Sequence, residues 1–126
     1  MATHRETTRI LVVDDQTEMA ETIADNLRDR GYGATAVSSG REALHFLKTD
    51  RVDALVTDLR MPEIDGLDLL RISVQLDPSR PVIMMTGYGT LETAMEATES
   101  GVFQYLMKPF RLDALVRVLE QALSKR

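Results

Sequence analysis

Leu55-Val56-Thr57-Asp58-Leu59-Arg60-Met61-Pro62 is the stretch that decides the fold. Ala54 to Thr57 reads as a buried strand, and it ends abruptly on the carboxylate of Asp58. Open α/β sheets meet solvent and bind ligands at the carboxyl ends of their strands. Pro62 denies the chain an immediate helix and biases Met61 toward an extended conformation. Asp58 is thereby displayed on a stiff loop.

The chain on either side repeats the theme. Arg9 to Val13 contains the continuous β-branched run of a strand buried on both faces, and it ends on Asp14-Asp15. Ala34 to Val37 is a short strand. Pro81 to Thr86 is a strand ending on Thr86, and Phe103 to Met107 ends on Lys108-Pro109. Helices are expected between them. The first runs from Thr17, taken as its N-cap, to Arg30, with Met19, Ile23 and Leu27 every four residues and Gly31 closing it. Ser39-Gly40-Arg41-Glu42 has the form of a capping box, opening a helix with Ala43, Leu44 and Leu47 inward. Gly66 to about Gln75 buries Leu67, Leu70 and Val74. Thr90 caps a helix to Ser100 that carries few large apolar residues. The last helix holds Leu112, Leu115, Val116, Leu119 and Leu123, behind a poor N-cap, Arg111. Five strands alternating with five helices demand a doubly wound (βα)5 fold, an α/β class with a parallel sheet, right-handed crossovers and helices on both faces.

Composition narrows the function. The 126 residues suit one domain, residues 9–124, behind a polar tail of residues 1–8. The net charge of −5 argues against direct binding of nucleic acid. The absence of cysteine excludes disulfides and thiolate metal sites. No apolar run approaches the ~20 residues of a bilayer span, and the start lacks the apolar core of a signal peptide, so a cytoplasmic protein is expected. The sequence leaves open whether a further domain follows the last helix.

The strand ends carry the chemistry. Asp14, Asp15 and Asp58 gathered at one sheet edge repel one another, and a divalent cation resolves that repulsion. An all-oxygen ligand set suggests Mg²⁺. Taken singly, an Asp pair after a strand is more often a solvated turn, and Lys108 a snorkelling surface lysine. At the same edge as the acids, the Lys108 ammonium can instead pair with Asp58 and with phosphoryl oxygens. The Lys108-Pro109 bond is one of the few that adopt cis readily. His4 and His45 read as solvated, and the seven methionines as packing.

Asp14-Asp15, Asp58, Thr86 and Lys108-Pro109, each at the end of its strand, resemble the receiver domain of bacterial two-component response regulators. The similarity runs from about Arg9 to Ser124. It extends to Asp65-Gly66 and to Tyr105-Leu106-Met107-Lys108-Pro109-Phe110. The resemblance implies the flavodoxin-like strand order 2-1-3-4-5. It implies Asp58 as phosphoacceptor and Asp15 and Asp58 as Mg²⁺ ligands, with Asp14 acting through water and the Arg60 backbone carbonyl completing the set. Lys108 would contact the phosphoryl group, and Thr86 and Tyr105 would form the switch pair. Arg60 and Tyr88 stand where receivers tune phosphoryl loss.

The motifs look most like receivers of nitrogen-regulator-type transcription activators. The implied partners are a sensor histidine kinase or phosphotransfer domain facing Gln16, Met19 and Ala20, an output domain C-terminal to the receiver, and a second copy on phosphorylation. Phe103-Gln104 replace the acidic residues that often precede the switch tyrosine in charged receiver dimers, leaving an exposed Phe103 as a partner contact. A stand-alone single-domain regulator stays open. A Mg²⁺-dependent phosphohydrolase with an aspartyl-phosphate intermediate needs a general acid two residues after its nucleophile, and Arg60 there cannot give up a proton. A flavodoxin-like cofactor binder needs a Gly- or Ser/Thr-rich phosphate loop where Asp14-Asp15-Gln16 stand.

Overall fold

The computed structural model describes residues 8–125. The strands are β1 (Arg9–Val13), β2 (Gly33–Val37), β3 (Ala54–Asp58), β4 (Val82–Thr86) and β5 (Gln104–Met107). The helices are α1 (Thr17–Asp29), α2 (Gly40–Thr49), α3 (Gly66–Leu76), α4 (Leu91–Glu99) and α5 (Leu112–Ser124). All strand pairs are parallel and the order is β2-β1-β3-β4-β5. The expected architecture and strand order are both found, with element ends within a residue or so of the sequence reading.

Strand alternation divides the core between the two faces. Ile10, Val12, Val56, Ile83 and Met85 meet α1 and α5 through Ile23, Leu27, Leu115 and Leu119. Leu11, Val13, Leu55, Val82 and Met84 meet α2, α3 and α4 through Ala43, Leu47, Leu70 and Ala97. β3 and β4 are buried along their whole length, which is why their sequences run apolar without alternation. The α4 helix is the exception, since Ala97 is its one buried residue.

Helix starts show where local chemistry departs from the sequence reading. The cap of α1 is Gln16, not Thr17, and makes no side-chain capping bond. Asp14 intervenes: its Oδ1 accepts from the Gln16 N–H at 2.9 Å, an Asx-type turn that settles the entry to the helix. At α2 only half of the expected box forms. Ser39 Oγ accepts from Glu42 N–H at 3.1 Å, while the Glu42 carboxylate reaches Ser38 N–H at 3.4 Å. Full capping boxes open α3 (Asp65 with Asp68) and α4 (Thr90 with Thr93). Gly31 sits just past the end of α1 at φ 95°, a conformation that favours glycine.

Other expectations are corrected. Val74 is only partly buried, and Leu69 is fully buried instead. Met61, Met84 and Met85 are core residues, but Met95 and Met107 are exposed, so methionine is not uniformly packing here. Phe103 is half-buried with Lys125 Nζ 5.8 Å from its ring centroid. The large apolar side chains most exposed among the described residues are Leu76, Tyr88, Leu91, Met95 and Met107. His45 is exposed as expected, whereas His4 and nearly all of the polar tail lie outside the described residues.

Arg80 escaped the sequence reading. It is 6% exposed, donating from Nε to Ser73 Oγ at 2.9 Å and from Nη1 to the Val52 carbonyl at 3.3 Å. It ties α3 and the entry to β3 together at the amino edge of the sheet, opposite the acids. Arg80→Met strips a charged donor from buried acceptors, and urea unfolding should register a loss of about 2 kcal/mol.

Candidate functional site

Parallel registration brings the strand ends level. Val13 pairs with Thr57, Asp58 with Met85 and Thr86 with Met107, so Asp14, Asp58, Thr86 and Lys108 emerge at one edge. Carboxylate oxygens of Asp14, Asp15 and Asp58 lie within 4.8 Å of one another. Asp14 is fully buried and Asp58 nearly so, while Asp15 faces solvent.

Lys108 answers this negative charge. Its Nζ lies 2.8 Å from Asp14 Oδ2 and 3.7 Å from Asp58 Oδ1. Its closer pairing is therefore with Asp14, rather than with Asp58 as the sequence suggested. The reason is burial: Asp14 has no water to solvate it, so the ammonium is worth most there. The Lys108-Pro109 bond is cis.

The loop after Asp58 is closed on itself. Leu59 N–H donates to Asp58 Oδ1 at 2.9 Å and Gly66 N–H to the Leu59 carbonyl at 2.9 Å. Ile64 N–H reaches back to the Pro62 carbonyl at 2.8 Å across Glu63, whose φ is 65°. This is a γ-turn that a non-glycine residue adopts at some cost. A Cβ on Gly66 would strike the Asp58 carbonyl, so the backbone of α3 packs directly under the acid. Leu59 and Met61 anchor the loop in the core. The sequence showed Gly66 only as a motif position; the close approach that demands glycine there has no one-dimensional signal.

Asp15, Gln16, Asp58, Arg60, Gly87, Tyr88 and Lys108 line one open cleft. Arg60 and Tyr88 are thus brought to the site as expected, both exposed. Thr86 is fully buried at the end of β4, its Oγ1 accepting from Tyr88 N–H at 3.0 Å. Tyr105 is half-buried on β5, opposite Met84, and its hydroxyl pairs with Thr93 Oγ1 at 3.1 Å. Thr93 is a neighbour the sequence reading missed, since nothing in spacing links it to Tyr105.

Electrostatics mark out Asp58. Burial, with the Asp14 charge next, pushes its carboxyl up to about 6 from an ordinary 3.8, against the lowering influence of Lys108 and the Leu59 N–H. The residues present fit a small divalent cation. The set offers three carboxylates and no nitrogen or sulfur, and adding positive charge here relieves both the repulsion and the raised proton affinity of Asp58.

The model for "Response regulator receiver domain" matches residues 10–120. The chain belongs to the response regulator receiver family. The receiver is 39% identical over 113 residues to "DNA-binding transcriptional regulator NtrC" of Klebsiella pneumoniae, covering 90% of this chain and 24% of that protein. It thus spans about a quarter of the length of the curated relatives it matches. Among solved structures, a receiver domain protein (CheY-like) from Methanospirillum hungatei JF-1 superposes with a TM-score of 0.91 at 28% identity, covering 94% of each chain. A response regulator protein from Burkholderia pseudomallei, solved with a phosphorylated aspartic acid, calcium ion and citrate, gives a TM-score of 0.84 at 29% identity, covering 94% of this chain and 69% of that one. Relatives of the nitrogen-regulator type are thus among those the receiver resembles, as the motifs suggested. No helix among the described residues is long and apolar enough to cross a membrane.

The raised proton affinity of Asp58 sets a sign. In metal-free receiver the folded state holds a proton on Asp58 that the unfolded state releases, so stability falls as pH rises from about 4 to about 6. Above that window the buried charge is a burden of up to about 3 kcal/mol. Asp58→Asn with chelator present should therefore unfold at higher urea than wild type at pH 7.5, with the gap shrinking by more than half by pH 4.5. A wild-type midpoint that rises between pH 4.5 and 6, relative to Asp58→Asn, would contradict this.

Proposed function

We propose that this receiver takes a phosphoryl group from a phosphohistidine onto Asp58 and relays the change through Thr86 and Tyr105. The observation that carries the reading is the Asp14, Asp15 and Asp58 cluster with Lys108 beside two of its members.

An ionised Asp58 oxygen attacks the phosphorus in line. The O–P bond forms as the P–N bond to imidazole breaks, and the histidine leaves with the electron pair of that bond. Little covalent chemistry falls to the protein, so its contribution is positioning and charge. The Leu59 N–H and the closed loop fix one Asp58 oxygen and leave the other for attack. Mg²⁺, held by Asp15 and Asp58 directly, by Asp14 through water and by the Arg60 carbonyl, would supply the positive charge that keeps Asp58 ionised and screens the transferring oxygens. Lys108, already 3.7 Å from Asp58, pairs with a phosphoryl oxygen after transfer. Thr86 follows through its hydroxyl and vacates space beside Tyr105. A local charge change thus biases a two-state face built from α4 and β5.

This is a signalling phosphoacceptor that assists its own phosphorylation and dephosphorylation rather than a turnover enzyme. Its donor is a sensor histidine kinase or phosphotransfer domain, and its setting is the cytoplasm. The DNA-binding transcriptional regulator among its relatives supports a transcriptional output. On this reading the output runs through a domain C-terminal to the receiver, and phosphorylation drives homodimerisation.

With a small phosphodonor and Mg²⁺, wild type should incorporate close to one phosphoryl group per chain. Asp58→Asn should incorporate none, and retained labelling would remove Asp58 from its role. Lys108→Ala should fold and bind Mg²⁺, yet slow labelling by at least tenfold, since one charge-assisted contact of about 1.5–3 kcal/mol is lost.

A further inference from the structure

The α4 helix is unusually lightly seated. Between its ends only Ala97 is buried, and the remaining ties are polar. At its carboxyl end Arg71 of α3 reaches Glu96 at 3.5 Å and Ser100 Oγ at 3.3 Å. At its amino end the tie is Thr93. Its Oγ1 accepts from Thr90 N–H at 2.9 Å, and its own N–H donates to Thr90 Oγ1 at 3.1 Å, completing the capping box. The same Oγ1 meets the Tyr105 hydroxyl at 3.1 Å. One hydroxyl therefore both caps the helix and holds the switch tyrosine.

The neighbouring backbone leaves no slack. A Cβ at Gly89 would lie 2.5 Å from the Tyr105 hydroxyl, 2.9 Å from Thr86 Cγ2 and 3.0 Å from Met107 Sδ. Thr86, Tyr105 and the approach to α4 thus converge on one glycine. A shift of Thr86 toward Asp58 opens volume beside the Tyr105 hydroxyl. Tyr105 cannot leave its place without giving up Thr93.

Resting on the phosphoacceptor reading above, we propose that Thr93 is the positioning residue of the switch. Its hydroxyl latches Tyr105 to the capping turn of α4, so that release of the tyrosine and loosening of that turn are one event. The latch favours the resting state. By linkage it opposes occupancy of the phosphoryl site by the same factor with which occupancy opposes the latch. Arg71 keeps the far end of α4 in place, which makes that end the pivot.

The test compares hydroxyl-deleting variants, read with Mg²⁺ and beryllofluoride as the phosphoryl mimic and with amide exchange of the resting, metal-free protein. Thr93→Val, Tyr105→Phe and Gly89→Ala should each bind beryllofluoride about two- to tenfold more tightly than wild type, the range set by one hydrogen bond. Thr93→Val with Tyr105→Phe should gain no more than the stronger single change, because both delete the same bond. Thr93→Ser should return to the wild-type affinity. Thr90→Ala damages the same cap but spares the Tyr105 partner, so it should leave affinity within twofold. In the resting protein, Tyr105→Phe alone should speed exchange of the Ala94 amide, which donates to the Thr90 carbonyl at the head of α4. Thr93→Val behaving as Thr90→Ala does, additive effects of Thr93→Val and Tyr105→Phe, or an Ala94 amide indifferent to Tyr105→Phe would each overturn the latch. A wild type that does not bind beryllofluoride would instead sink the phosphoacceptor reading, while resting-state exchange still decides whether the latch exists.

Discussion

Three carboxylates crowded at one end of a parallel sheet are the constraint on which the rest of the molecule depends. Asp14 has no access to water, and Asp58 has little. Repulsion between them must be met by cations. Lys108 meets part of it by lying against Asp14, and Asp58, buried and facing the Asp14 charge, keeps a raised proton affinity. A resting site of this kind is poised. It gains from any positive charge placed beside it. The structural cost is borne elsewhere, by two apolar layers and by the buried Arg80 clamp at the opposite edge.

The loop beyond Asp58 shows how finely that constraint is held. Pro62, the γ-turn at Glu63 and the bare backbone of Gly66 fold Leu59–Asp65 into a short closed path under the acid. Rigidity here contrasts with α4, tied by Ala97 and a few polar contacts. The molecule thus joins a closed loop around Asp58 to a lightly held α4, the arrangement the proposed switch requires.

The fold was almost wholly legible in the sequence. Strands buried on both faces read as apolar runs, and their polar terminators marked the site edge without any knowledge of topology. Asp14, Asp58, Thr86 and Lys108 are each the first polar residue after a strand or the last within it, and Asp15 follows directly on Asp14. Contacts made across the sheet were harder to see. Spacing does not say that Lys108 prefers Asp14, which depends on relative burial. Nor does it say that Gly66 touches the Asp58 carbonyl, or that Thr93 meets Tyr105. The Thr17 cap failed for a similar reason: Asp14 bonds Gln16 N–H and moves the helix start by one residue. The expectation of an exposed Phe103 failed, since the ring is half-buried, with Lys125 Nζ 5.8 Å from its centroid.

The central claim is that this cluster makes Asp58, and no other side chain, a covalent acceptor. Borohydride reduces an aspartyl phosphate to homoserine, which marks the modified residue permanently. The direct measurement is tandem mass spectrometry of the receiver reduced after incubation with a small phosphodonor, with and without Mg²⁺. The account predicts homoserine at position 58 alone, and only when Mg²⁺ is present. Homoserine at Asp14 or Asp15, or at position 58 at an equal level without the metal, would contradict it.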